Sequence, residues 1–119
     1  MARAKDAVGG YGERVAVAHL QAQGMRLVER NWRCAAGELD AVFTDGDALV
    51  VVEVKTRRSD GYGLPAEAVG HRKIVRLRRL AALWLAEHSV SAAEVRFDVV
   101  SVWPRTRGAA RVEHLRGAF

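Results

Sequence analysis

Apolar positions follow a helical period in two stretches of the chain and a strand period in the rest. From Asp6 to Gly24, Val8, Tyr11, Val15, Ala18 and Leu20 recur near the helical period, and Gly24 is a natural stop. Met25 to Trp32 reads as a strand with moderate alternation. Glu38 to Phe43 and Ala48 to Lys55 are two further strands, joined through Thr44-Asp45-Gly46-Asp47. Asp-Gly between apolar runs is a hairpin signal. Thr56 to Glu67 is a polar loop carrying Gly61, Gly63 and Pro65. A second helix follows from about Glu67 to Glu87, with Ile74, Leu77, Leu80, Ala81, Trp84 and Leu85 as its apolar stripe. Val95 to Trp103 is almost continuously apolar, as in a strand covered on both faces. Pro104 ends it, Arg105 to Ala110 is a loop, and Arg111 to Leu115 is a short edge strand. A helix between the hairpin and the Val95 strand implies a right-handed crossover to a parallel partner. The pattern predicts one α/β domain over residues 1–119: a mixed sheet flanked by helices.

Composition narrows the setting. A chain of 119 residues buries enough surface to fold without a disulfide or structural metal. Its single cysteine, Cys34, fits a reducing, cytoplasmic location. No N-terminal apolar run marks a signal peptide, and no stretch approaches the roughly 18 apolar residues of a membrane span. The formal charge is +5, and the basic residues are bunched. Arg57 and Arg58 precede a window holding Arg72, Lys73, Arg76, Arg78 and Arg79. Such a balance favours an anionic partner, nucleic acid first. The same run also fits a solvated helix face.

The hairpin carries the candidate chemistry. Side chains alternate along a strand, so Glu53 and Lys55 share a face, as do Glu38 and Asp40. If Asp45-Gly46 forms the two-residue loop, Glu38 lies opposite Glu53 and Asp40 is diagonal to it. If Gly46-Asp47 forms the loop, Asp40 faces Glu53 directly. Either tight turn puts Asp40, Glu53 and Lys55 on one face; a loop longer or shorter by one residue would not. Two carboxylates about 5 Å apart across strands repel. A hard divalent cation removes that cost, and Mg²⁺ is held by one or two carboxylates with waters and substrate phosphates. The lysine can orient or deprotonate an attacking water, or offset phosphate charge. The combination suggests metal-dependent phosphodiester cleavage. A plain Glu-x-Lys surface ion pair fits the spacing as well.

At these residues the sequence resembles the PD-(D/E)xK nuclease superfamily, and within it the YraN-like predicted endonucleases related to archaeal Holliday-junction resolvases. The likeness rests on Gly12-Glu13, Asn31-Trp32-Arg33, Gly37-Glu38-Leu39-Asp40, Val52-Glu53-Val54-Lys55-Thr56-Arg57, Pro65-Ala66-Glu67-Ala68-Val69, Arg72-Lys73 and Arg96-Phe97-Asp98-Val99-Val100. The resemblance implies a restriction-endonuclease-like core of helix, three strands, helix and strand. It implies Asp40 and Glu53 as metal ligands, Lys55 as the catalytic lysine, and Glu13 as a further acid brought from the first helix. It implies Mg²⁺ or Mn²⁺, and DNA as substrate, branched or structured as in repair and recombination. A homodimer is expected only by analogy with resolvases. Asp40 follows Leu39 where the superfamily's name has proline.

Around this centre, Glu38 reads as a support that hydrogen-bonds Lys55 or a water on the metal. Arg57, Arg58, Arg72, Lys73 and Arg76 read as contacts to DNA phosphates, the last three near a helix N-terminus that favours anions. Glu13 and Glu38 also fit ordinary solvated acids. Asp98, inside an apolar strand, needs a partner, and Arg96 on its own face is available. His19, His71, His88 and His114 show no metal-ligand spacing. The apolar tail Ala118-Phe119 packs on its own chain or on a neighbour. Two other readings stay open: a nucleic-acid-binding protein with this fold that does not cut, and an adaptor whose basic helix docks on an acidic protein.

Overall fold

The computed structural model describes residues 7–57 and 70–119. Helix α1 (Ala7–Ala22) leads into strands β1 (Arg26–Cys34), β2 (Gly37–Asp45) and β3 (Ala48–Thr56). Helix α2 (His71–His88) precedes β4 (Glu94–Trp103) and β5 (Arg111–Leu115). The strands form one sheet in chain order, parallel between β3 and β4 and antiparallel elsewhere. The predicted mixed sheet and the parallel crossover partner are therefore present. Asp6, Arg58, the glycines and proline of the loop and the predicted helix start at Glu67 lie outside the described residues. Gly70 caps α2 in an extended conformation, so the helix starts at His71.

The helices cover opposite faces of the sheet. Ala16, Val17 and Leu20 of α1 pack with Ala41, Phe43, Val50, Val52, Val100 and Val102. Leu77, Leu80, Ala81 and Trp84 of α2 pack with Val42, Leu49, Val51 and Phe97. This double cover explains the run of buried residues from Ala48 to Glu53 along β3.

The hairpin turn is Gly46-Asp47, because Asp45 pairs with Ala48. Gly46 has φ +61, at the position where a type II′ turn calls for glycine. Strand β1 is less regular. Its register shifts between Leu27 and Glu29, and Asn31 has φ 56. Arg30 then reaches Glu13 of α1, while Trp32 joins the cluster under α2. Those two irregularities account for the moderate alternation in the sequence. The C-terminal tail folds onto its own chain. Ala118 N–H donates to Phe97 O at 2.7 Å, and the Phe119 ring stacks 5.1 Å from Phe97.

Candidate functional site

The α2 side of the hairpin opens into a cleft of about 230 Å³. Its walls are Ala36, Gly37, Glu38, Asp40, Glu53, Lys73, Arg76 and Leu77. Strand alternation alone would point Leu39 and Ala41 the same way. Instead Leu39 packs with the α2 cluster and Ala41 with the α1 cluster. The β2–β3 ladder runs from Asp45↔Ala48 to Ala41↔Val52. One residue further, the Asp40 carboxylate takes over the pairing: its Oδ2 accepts from Val54 N–H at 2.9 Å. A charged acceptor on a backbone donor fixes the carboxylate in place.

Glu53 is the centre of the charges. It is only 9% exposed, and its Oε2 lies 2.5 Å from Lys73 Nζ and 3.5 Å from Lys55 Nζ. Burial lowers the Lys55 pKa first, helped by its hydrogen bond and charge interaction with Lys73, against the pull of Glu53. Burial works the same way on Lys73, but its hydrogen bonds to Glu53 and Lys55 and the charges of Glu53 and Asp40 outweigh it, so its pKa is raised. The two lysines are thus driven apart, leaving Lys55 the readier to give up a proton.

The other sequence-predicted residues are more dispersed. Glu38 lines the cleft, with Oε1 3.0 Å from Arg33 Nε. Glu13 is buried on α1, with Oε1 3.8 Å from Arg30 Nη2. Among the described residues, no three His, Cys, Asp or Glu side chains gather as a metal-ligand set, so Glu13 does not join Asp40 and Glu53 in one. The two carboxylates offer hard oxygen donors, the type that Mg²⁺ and Mn²⁺ take when waters and substrate phosphates complete the shell. Arg57 donates its backbone N–H to Val102 O and holds its guanidinium over Trp103, 5.9 Å from the ring centre.

A second cavity of about 730 Å³ adjoins the cleft, with Ala36 and Arg76 walling both. It lies between the β1–β2 turn at Cys34, Ala35 and Ala36 and the outer side of α2, where Arg72, Arg76 and Arg79 line it. Those arginines share one helix face by their spacing. Arg79 joins Arg72 and Arg76 on this face, and its spacing from them is the signal that finds it. The position of Lys73 is also readable: it lies four residues before Leu77 and seven before Leu80, on the buried stripe.

A sequence profile of the group described as "Uncharacterised protein family UPF0102" matches residues 12–102. The chain belongs to the UPF0102 family. A UPF0102 protein of Beutenbergia cavernae is 64% identical over 115 residues, spanning 97% of this chain and 98% of its own length. One from Frankia casuarinae is 57% identical over 117 residues, spanning 98% of this chain and 99% of its own. The UPF0102 profile takes in the hairpin, the cleft and the arginine face together.

Proposed function

We propose that this UPF0102 chain is a metal-dependent endonuclease of the PD-(D/E)xK type, hydrolysing phosphodiester bonds in branched or structured DNA. One observation carries the reading: Asp40 and Glu53 line one cleft, Lys55 reaches Glu53, and the cleft opens into a groove lined by three arginines. A bound Mg²⁺ or Mn²⁺ would supply Lewis-acid polarisation of the scissile phosphate. Asp40 and Glu53 would hold the ion. Lys55, beside Glu53, would orient the attacking water and offset the charge that develops on the phosphate. Arg72, Arg76 and Arg79 would bind the flanking phosphates and set the strand's direction into the cleft. Glu38 borders the cleft and tethers Arg33 beside it.

The test is incubation of the purified protein with flap, splayed and four-way-junction DNA in Mg²⁺ or Mn²⁺. Cleavage is expected, and Asp40→Ala should lower it at least about 100-fold, the scale of removing one essential charge-stabilising group. No cleavage on any of these DNAs, or equal cleavage by the variant, removes the enzyme reading. A second reading has its own observation. Lys73 already supplies Glu53 with a close positive charge, which suits a protein that binds nucleic acid without a metal and without cutting. Tight junction binding that is indifferent to Mn²⁺, with no product, would favour it.

A further inference from the structure

Lys73 already sets a positive charge against Glu53, one of the two carboxylates that would hold the ion. Its side chain forms one wall of the cleft, and its Nζ is 2.5 Å from Glu53 Oε2. Lys55 reaches the same oxygen from the sheet, 3.5 Å away. A carboxylate as buried as Glu53 needs a partner charge, and here it has two. A divalent ion at Glu53 would compete with these two ammoniums for the same oxygen, in a cleft of about 230 Å³. It would have to displace at least one of them.

The fold indicates which. Lys55 is held in β3, whose pairing with β4 continues past it to Thr56 and Val102. Lys73 sits in the first turn of α2, two residues beyond the helix start, next to an exposed Gly70 cap with no side-chain hydrogen bond. Its long, flexible stem lets the ammonium swing off Glu53.

We propose that Lys73 is an internal counter-ion that competes with the divalent metal for Glu53 and so sets how tightly the site takes the ion. The inference rests on the metal-dependent reading above and adds to it a built-in control of metal occupancy. It requires no covalent step: the ammonium leaves Glu53 as the ion arrives.

The experiment is Mn²⁺ binding to the full chain, followed by loss of the free-ion electron paramagnetic resonance signal. Thermal unfolding with and without Mn²⁺ runs beside it. Lys73→Ala and Lys73→Met should bind Mn²⁺ about tenfold more tightly than wild type, the scale of one charged hydrogen bond removed. Both should melt lower than wild type without metal and regain more on adding it. Arg26→Ala, which removes a positive charge from the start of β1, should match wild type. Lys73 variants that bind no more tightly than wild type, while Asp40→Ala abolishes binding, would overturn the lysine's role and leave the metal site standing. No Mn²⁺ binding by any variant would overturn both.

Discussion

At Gly12 a single missing carbon sets how α1 meets the sheet. A Cβ built there would lie 1.9 Å from Thr56 Oγ1 and 3.0 Å from Thr56 Cβ. Thr56 follows Lys55, so this close approach also anchors the end of β3 that carries the lysine. Gly12→Ala should gain about 1 kcal/mol of helix propensity and lose more to the clash. We expect a net loss of about 1–2 kcal/mol, of the size overpacking gives, by urea denaturation. Thr56→Ala in the same chain should return most of it, and additive effects of the two changes would refute the clash. The sequence makes Gly12-Glu13 visible only as part of a family likeness, because helix–strand packing between distant residues leaves no local period. Asp40, Glu53 and Lys55 are legible for the opposite reason. A tight turn and strand parity are local rules, and the observed Gly46-Asp47 turn is one of the two registers they allow, although the alternation itself breaks between Leu39 and Ala41, around Asp40.

Among the elements, α2 has two occupations on two faces. One face carries Lys73 and then Leu77, Leu80 and Trp84 against the sheet; the other turns Arg72, Arg76 and Arg79 to the groove. Charge counting sees one basic run, and only the helical period separates the inward lysine from the outward arginines. The division has a measurable consequence. Arg72→Ala with Arg79→Ala should weaken DNA binding and make the dependence of log affinity on log salt shallower by about 2, one for each phosphate that no longer has an arginine to neutralise it. Stability should move by less than about 0.5 kcal/mol per exposed site. An unchanged salt slope in a fluorescence-anisotropy titration would take these arginines out of the interface. Strand β1 shows the limit of pattern reading. Its bulge and the positive φ at Asn31 break the strand period, yet they deliver Glu29 to Trp84, whose Nε1 donates to it at 2.9 Å, and Trp32 to Glu87 at 3.1 Å.

Across the whole molecule, the hairpin separates chemistry from stability. The cleft lies on the α2 side of the sheet at Asp40 and Glu53, while a buried ionic network centred on Asp98 of β4 reaches the turn at Asp45. Asp98, 1% exposed, accepts two bonds from Arg96 at 2.9 and 3.0 Å, one from His114 Nε2 at 2.7 Å and one from Gly117 N–H at 3.0 Å. Arg96 and Arg116 both continue to Asp45 beside the turn. The sequence offers Arg96 as the partner; His114 and Gly117 come from β5 and the tail, too far along the chain for any local pattern to supply. Burial works to raise the Asp98 pKa, but the bonds from His114, Arg96 and Gly117 and the Arg96 charge outweigh it and lower it from 3.8 to about 2. A carboxylate with a depressed folded pKa stabilises the fold above its unfolded value. That stability is lost as pH falls through the folded value. Over the window from about pH 5 to about pH 2, the shift corresponds to about 2 kcal/mol. Asp98→Asn should therefore be less stable than wild type by about this amount at pH 7. The gap should narrow as pH falls through the folded value and close only below about pH 2, where both chains carry a neutral group at this position. Denaturation midpoints measured in parallel over that range test it, and a gap that stays constant with pH would mean that packing rather than charge holds this end of the sheet.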